Sequence, residues 1–259
     1  MKGIKSMEDM LKTKRLLPHS GARSRIENIP LIGKSLSMIF SVPNPNFHFK
    51  STPADIAYDR LIKETLRKNP KAKILNIGSR GRRFPNVVNL DIVDCGNADI
   101  IADASDMPIA DNTFDLVVNI AVLQHVKEPH KVASECFRVL KPGGKIYATA
   151  PFFYMFHTDP IDIQRYTHMG LANLFREFHC IKCGVENGPA SAAVVSIREF
   201  FAILFSFNSA FLYNFFQILF GYLFYPMKFL DFFLTRSRFA FMMSSSVYFV
   251  GVKEADKRK

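Results

Sequence analysis

Tryptophan is absent from this 259-residue chain, cysteine occurs four times, and acidic residues are scarce: 23 Asp and Glu stand against 34 Lys and Arg. Each shortage excludes something. Four cysteines (Cys95, Cys136, Cys180 and Cys183) do not make a disulfide framework at this length. The opening "MKGIKSMEDMLKTKRLL" is charged throughout and lacks the apolar core of a secretory signal, so a reducing, cytoplasmic setting is expected. Cys180 and Cys183 form a CxxC with no second pair, which reads as two small residues in a strand, and no metal site is expected. The shortage of acid leaves a formal charge of +11, a balance that suits an anionic membrane surface or a nucleic acid. Nucleic acid is disfavoured, because the aromatics cluster without interleaved charge and no basic-aromatic recognition module is added. Low-complexity tracts and internal repeats are missing too.

What is present is an alternation. Residues 1–50 are basic and broken by Pro18, Pro30, Pro43 and Pro45, and read as an extension. From about residue 51 the spacing of Ile56, Leu61, Ile62 and Leu66 predicts a helix that stops before Pro70. Then "AKILNIG", "NVVNLDI", "ADIIAD" and "FDLVVNI" read as strands, and "EPHKVASECFRVL" as a helix closed by "KPGG". "KIYATAPF" is a strand, "GLANLFREF" a helix, and "HCIKCGV" and "SVYFVGVK" are strands. Apolar strands alternating with amphipathic helices predict an α/β fold built on a parallel sheet. The expected units are the extension 1–50, an α/β domain 51–190, an apolar insertion 191–241, and a last strand with a basic tail 242–259.

In such sheets ligands bind outside the carboxyl ends of the strands. Gly78 and Gly81 fall at one such end, and Asp91 closes the next strand. Glycine lets backbone approach a ligand, and an acid at the second position accepts from both hydroxyls of a ribose. Only about nine residues join these two strands, whereas a full crossover takes ~10–12. The intervening helix must therefore be cut to a turn, which would deprive a pyrophosphate of its helix N-terminus. A cofactor without phosphate loses nothing.

Five segments in order, "ILNIGSRG", "VVNLDI", "IIADASDMPIADNTFDLVVNIAVLQHV", "ASECFRVLKPGGKIYATAPF" and "HTDPIDIQRYTHMGL", resemble a class I S-adenosylmethionine (SAM)-dependent methyltransferase of the methyltransferase type 11 group. The resemblance implies a Rossmann-like, seven-stranded, mostly parallel sheet with helices on both faces. It implies SAM as cofactor, with Gly78 and Gly81 beside its methionine part and Asp91 on the ribose. Asp103 and Ala104 would meet the adenine, while Asn119, Ile120 and Ala121 would line the methyl-transfer side. Gln124–His125 stand where the family often has Glu–His. The chain departs from the pattern at Asn76, where the family has an acid, and at Arg80 and Arg82, where it has glycine.

Methyl transfer to an alcohol is helped by a base. The loop "PFFYMFHTDPIDIQRYT" offers His157, Asp159, Asp162, Arg165 and Tyr166. His157 is the first candidate base, because histidine titrates nearest neutrality among ordinary side chains. Asp159 and His125 follow.

The insertion is the chain's second peculiarity. Ser196–Phe241 holds 14 of the 26 Phe, and the 28 positions Phe200–Met227 carry no charge, more than the ~18 that flag a membrane segment. On one continuous helix, Glu199, Ser206, Asn214, Gln217, Gly221, Lys228, Asp231 and Thr235 would share one arc, with Asn208 opposite. A narrow polar stripe beside a broad apolar face fits a helix lying at a membrane interface, with Lys228, Arg236 and Arg238 toward lipid phosphates. Pro226 would kink or end this helix, with a second short helix, "KFLDFFLTR", after it. A dimer face or lid, and a true span or tight re-entrant hairpin, are the other readings. The expectation is a SAM-dependent methyltransferase, peripheral or monotopic on an anionic membrane, that O-methylates a lipid or lipid-linked glycan. An isoprenoid quinone or phenolic acceptor is the second option. The third is a degenerate methyltransferase fold kept as a membrane-bound interaction module.

Overall fold

The structure, a computed structural model, describes residues 58–78, 87–94, 96–157 and 161–255. The extension 1–50, the short link carrying Gly81, Arg80 and Arg82, and Asp159 lie outside the described residues. The chain divides into two compact units.

The larger unit is a seven-stranded sheet. Its strands are β1 Ile74–Ile77, β2 Val88–Asp91, β3 Ile100–Ile101, β4 Phe114–Ile120, β5 Leu140–Pro151, β6 His179–Asn187 and β7 Ser246–Val252. The order across the sheet is β3-β2-β1-β4-β5-β7-β6. β1 to β5 pair in parallel, and β7 runs antiparallel to both β5 and β6. This is the parallel α/β sheet that the alternation implies, in the seven-stranded Rossmann-like form that the resemblance implies.

Both faces are covered. Helix α1, Tyr58–Lys68, packs Leu61 and Ile62 with Ile74, Leu116, Val118, Tyr147 and Tyr248 on one face. Helices α2, Pro129–Val139, and α3, His168–Leu174, cover the other through Val132, Cys136, Val139, Leu171 and Leu174. Full burial of one such aliphatic side chain is worth ~1.5–3 kcal/mol, so these faces hold the unit together. Helix α2 starts at Pro129, whose missing N–H costs nothing at a first turn. The "KPGG" run does not cap it from outside. It lies inside the first part of β5, where the pairing with β4 shifts register and Gly143 takes φ +80°.

Asn76 proves to be a structural residue. Its Nδ2 donates to Asn89 Oδ1 at 3.2 Å, and Asn89 Nδ2 donates to Asp99 Oδ2 at 3.0 Å. This buried chain ties β1 and β2 to the turn before β3. Cys180 and Cys183 both sit exposed on edge strand β6, where the register shifts between Cys180 and Lys182.

The second unit, among described residues, comprises 154–157, 161–162 and Ala190–Asp231. Its main elements are helix α4, Pro189–Leu204, and helix α5, Ala210–Phe224. The continuous helix implied by the polar arc is interrupted at Phe205–Ser209, where Phe207 and Asn208 take φ +45° and +62°. Asn208, the outlier of that arc, is one of the residues that reverse the chain. Ring contacts show that α4 and α5 run antiparallel: Phe201 meets Phe220 at 5.0 Å and Phe205 meets Phe216 at 5.3 Å.

The polar residues of the arc face inward. Asn214, Gln217, Gly221, Lys228 and Asp231 are buried, while Phe200, Ile203, Leu204, Phe207 and Leu223 are exposed. Lys228 is therefore not a free phosphate ligand; its Nζ lies 3.9 Å from the centre of the Tyr225 ring.

Candidate functional site

Strand order reverses between β1 and β4, and the backbone is unusual at both carboxyl ends there. Gly78, after β1, takes φ +78° and donates to Leu90 O at 2.8 Å. A Cβ at this position would lie 2.3 Å from Val122 Cγ2, so any other residue must displace that side chain. Ala121, after β4, takes φ +53°, a conformation that costs a non-glycine residue ~1–2 kcal/mol. Strain of this kind concentrates where a site is built.

Asp91 closes β2, half-buried, and its Oδ1 accepts from Val93 N at 3.3 Å. Asp103 is exposed on the turn after β3, and its Oδ1 takes both the N–H and the hydroxyl of Ser105 at 2.8 Å. Ala104 beside it is buried. Two residues that motif reading passed over hold this turn. Glu135 Oε2 accepts from Met107 N at 2.7 Å, while Arg138 donates to Met107 O, Ile109 O and Asp111. Their spacing of three on α2 is visible in the sequence, but their common target is a loop far away in it. The Arg138 guanidinium holds the Glu135 carboxyl below the usual range against the opposing effect of burial, with the Met107 N–H assisting.

The unpartnered polar atoms carry the strongest signal. Among described residues, seven buried side-chain atoms have no hydrogen-bond partner: Asn119 Nδ2 and Oδ1, Gln124 Oε1, the Tyr166 hydroxyl, Asn187 Oδ1, and the Ser244 and Ser245 hydroxyls. All lie at one edge of the sheet. Asn119 is near the end of β4, and Gln124 is in the turn that follows. Tyr166 is fastened to the end of β5 by its N–H on Pro151 O at 3.0 Å. Asn187 ends β6, and Ser244 and Ser245 lead into β7 opposite it, Ser245 donating its N–H to Asn187 O at 2.8 Å. Because β6 runs parallel to β5, this is the carboxyl edge throughout. An unsatisfied buried polar group costs ~1–3 kcal/mol, so seven at one edge mark a place where a ligand or ordered water supplies partners. Burial alone pushes the Tyr166 phenol up to about 12, so it stays a neutral donor.

The loop with the candidate bases divides. Residues 163–166 dock on the carboxyl edge: Ile163 N donates to Gln124 O at 2.8 Å, and Gln164 Nε2 bonds Leu123 O and Val126 O at 2.9 and 3.0 Å. His157 belongs to the second unit, where its N–H donates to Asp162 Oδ2 at 2.7 Å. His125 Nε2 lies 3.0 Å from Gln124 Nε2, an amide nitrogen that also donates to Ala121 O at 2.6 Å. The ring nitrogen is thus an acceptor in that pair.

Comparisons with known proteins find similarity in the sheet unit. Residues 82–148 match the family described as "Methyltransferase domain". An uncharacterized protein of Methanocaldococcus jannaschii is 36% identical over 104 residues, 36% of this chain and 51% of that protein. A demethylmenaquinone methyltransferase of Renibacterium salmoninarum is 49% identical over 47 residues, 18% of this chain and 20% of that enzyme. The chain thus spans between a fifth and a half of the lengths of these relatives. A crystal structure of a SAM-dependent methyltransferase from Archaeoglobus fulgidus is 15% identical with a TM-score of 0.45, covering 74% of this chain and 93% of that one. The sheet unit thus carries a segment that matches the methyltransferase-domain family, a class whose cofactor is SAM.

Proposed function

We propose that this chain transfers the methyl group of SAM to an acceptor that resides at a membrane. The observation that carries the reading is the set of seven orphaned polar atoms at the carboxyl edge, directly beside the strained turn at Ala121. SAM supplies a methyl group activated on a sulfonium. Every other requirement falls to the protein. In this reading Asp91 takes the ribose hydroxyls, and the turn Asp103–Ala104, pinned by Glu135 and Arg138, receives the adenine. The Asn119 carboxamide and the Ala121 backbone bound the methyl-transfer side. Tyr166, Gln124, Ser244, Ser245 and Asn187 offer uncharged donors and acceptors to a hydroxyl or carbonyl group of the acceptor. The amide at Asn76 does not count against binding, because its role is the buried bond to Asn89.

In transfer to a hydroxyl, the new O–CH3 bond forms as the S–CH3 bond breaks, and the acceptor proton must leave. His157 is the proposed base, with Asp159 next. His125 ranks below them, since its Nε2 is held by Gln124. The preferred acceptor is a lipid or lipid-linked glycan hydroxyl, because the exposed apolar residues of the second unit suit a protein that meets its substrate at a bilayer. A quinone or phenolic acceptor is the second reading, favoured by the likeness to a demethylmenaquinone methyltransferase.

The test is direct. The purified protein should bind S-adenosylhomocysteine in a calorimeter and should move label from SAM into the lipid or glycan fraction of a membrane extract. Binding without transfer to any fraction would favour the interaction module. Absence of binding would overturn the enzyme reading.

A further inference from the structure

The α4–α5 hairpin turns polar groups inward and many large apolar side chains outward, although Val194 and Val195 are buried too and Phe201, Phe205, Phe216 and Phe220 meet between the helices. In a water-soluble unit the large apolar side chains face inward and polar ones outward. Here the inner face holds Arg198, Ala202, Asn214, Gln217 and Gly221, while Phe200, Ile203, Leu204, Phe207 and Leu223 face out, Phe207 at 80% exposure. The inner groups satisfy one another. Glu199 accepts from Arg198, from the Tyr213 hydroxyl and from Gln217 Nε2, the last at 2.9 Å, and Gln217 also meets the Tyr213 hydroxyl at 3.1 Å. At the base of the hairpin, the fully buried Asp231 carboxylate accepts from Ala190 N, Ser191 N and the Ser191 hydroxyl at 2.6–2.8 Å, capping α4.

Part of the reversal is satisfied from within as well. Ser206 donates its hydroxyl to Ile203 O at 2.8 Å, Ser209 donates its N–H to Ser206 O at 2.7 Å, and Asn214 Nδ2 donates to Ala210 O at 2.8 Å. Hydrocarbon demands this of any backbone placed in it, and water does not. Inward polar groups that bond from one helix to the next recur in helices packed in lipid, and here Glu199 of α4 takes Tyr213 and Gln217 of α5.

Among the described residues no helix is long and apolar enough to cross a membrane. The 15 residues of α5 span about 22 Å, short of the ~30 Å hydrocarbon core. We infer that the α4–α5 hairpin is embedded in the hydrocarbon of a single leaflet of an anionic bilayer, as a monotopic insert whose polar side is its own dry interior. This deepens the membrane half of the proposed function and rests on it. It differs from surface attachment, which would turn the polar stripe to water.

Two further facts favour lipid over a second copy of the chain. The exposed residues between Phe200 and Met227 are almost devoid of hydrogen-bonding side chains, Asn208 and Tyr222 being the only two, whereas protein interfaces carry roughly one hydrogen bond per 100–200 Å². Charge is complementary as well. The single cation between Glu199 and Thr235 is the buried Lys228, and the next two along the chain, Arg236 and Arg238, are exposed and lie over the rings of Phe232 and Phe239.

The missing tryptophan makes a clean test. Phe207→Trp, at an exposed site, gives the full chain one indole, and Met169→Trp on α3 gives a control on the sheet unit. Both are titrated with phosphatidylcholine–phosphatidylglycerol vesicles whose acyl chains carry bromine, and S-adenosylhomocysteine binding is measured in parallel. Insertion predicts a blue shift and strong bromine quenching for Trp at 207, little for Trp at 169, and persistence in high salt. The triple variant Phe200→Ser, Phe207→Ser, Leu223→Ser should lose at least ~100-fold in vesicle partitioning. Vesicle binding without quenching at 207 would mean surface attachment and overturn the inference. A dimer that ignores vesicles and shields the indole from iodide would overturn it as well. Quenching without S-adenosylhomocysteine binding would remove the methyl-transfer reading and leave this one standing.

Discussion

The sheet unit and the hairpin unit solve opposite problems. The sheet buries apolar side chains on both faces and, among the described residues, leaves seven buried polar atoms unpartnered, all at its carboxyl edge. The hairpin buries polar side chains, satisfies them internally, and turns Phe200, Ile203, Leu204, Phe207, Phe211, Leu219 and Leu223 outward. An unpartnered buried group is tolerated where a ligand completes it. An exposed apolar face is tolerated where something other than water covers it. The two irregularities therefore point to two different partners, a small molecule for one and hydrocarbon for the other.

The comparison breaks most visibly at the residues that hold each part in shape. Asp231→Ala strips three donors of their acceptor in a dry interior. We expect a loss of ~3 kcal/mol or more in the hairpin, seen as loss of amide-exchange protection in α4 while the sheet stays protected. Gly78→Ala forces a Cβ onto Val122 at φ +78° and should cost about 2 kcal/mol in chemical denaturation of the sheet unit. Adding Val122→Ala removes the clash but not the backbone strain. Recovery of S-adenosylhomocysteine affinity in the double variant would show that Gly78 serves packing more than cofactor.

Next in size is the cofactor contact. Asp91→Ala should weaken S-adenosylhomocysteine by about 10- to 100-fold, the loss of one or two hydrogen bonds to a charged acceptor at ~1.5–3 kcal/mol for the pair. Calorimetry at constant salt reads it. Unchanged affinity would move the ribose away from β2.

The sharpest form of the comparison uses one substitution in two places. Tyr166 buries a hydroxyl without a partner, whereas the Tyr213 hydroxyl donates to Glu199 and receives Gln217. Tyr166→Phe should be neutral or stabilising by up to ~1 kcal/mol in the free protein, and Tyr213→Phe should destabilise by ~1–2 kcal/mol. Acceptor turnover should fall for the first and not for the second. Equal effects on stability would erase the distinction between an edge built for a ligand and an interior built for itself.

Much of the sheet could be read from the chain, because strand and helix periods differ and each run here keeps to one of them. The order of elements from Ile74 to Val252 and the positions of Gly78, Asp91 and Asp103 at strand ends follow from that alone. The hairpin could not be read in the same way. Periodicity at ~100° per residue places Asn214, Gln217 and Gly221 on one side of a helix but does not say whether that side faces water or protein. It also runs through Phe207 and Asn208, whose positive φ no propensity announces. The orphaned edge was illegible for a different cause. Asn119, Tyr166, Asn187 and Ser244 are distant in sequence and share an edge only through the pairing of β5, β7 and β6. Asn76 shows a third limit, since its partner Asn89 is fixed by register between strands.

The smallest expected effect lies where the sheet unit holds its own loop. Glu135 sits on α2, and its carboxylate joins Arg138 to the Met107 N–H, so it stiffens the turn that carries Asp103 and Ala104. Its folded value is depressed, chiefly by the Arg138 guanidinium, so its contribution is present above the unfolded value near 4.3 and is lost as pH falls through the folded value. Asp115 is depressed as well: its hydrogen bonds to Lys141 and the Lys73 N–H outweigh the upward push of burial. The urea midpoint of the wild type should therefore fall on acidification from about pH 5 to about pH 3, with both groups contributing. Glu135→Gln keeps the shape, removes one titration, and should flatten part of that limb at a cost of ~1 kcal/mol at neutral pH. It should also weaken S-adenosylhomocysteine only a few-fold, because the turn loosens while Asp91 still holds the ribose. A limb that keeps its full slope in Glu135→Gln would assign the acid sensitivity to Asp115 and its partner Lys141. A large loss of affinity at unchanged stability would place Glu135 in contact with the cofactor instead of behind the loop.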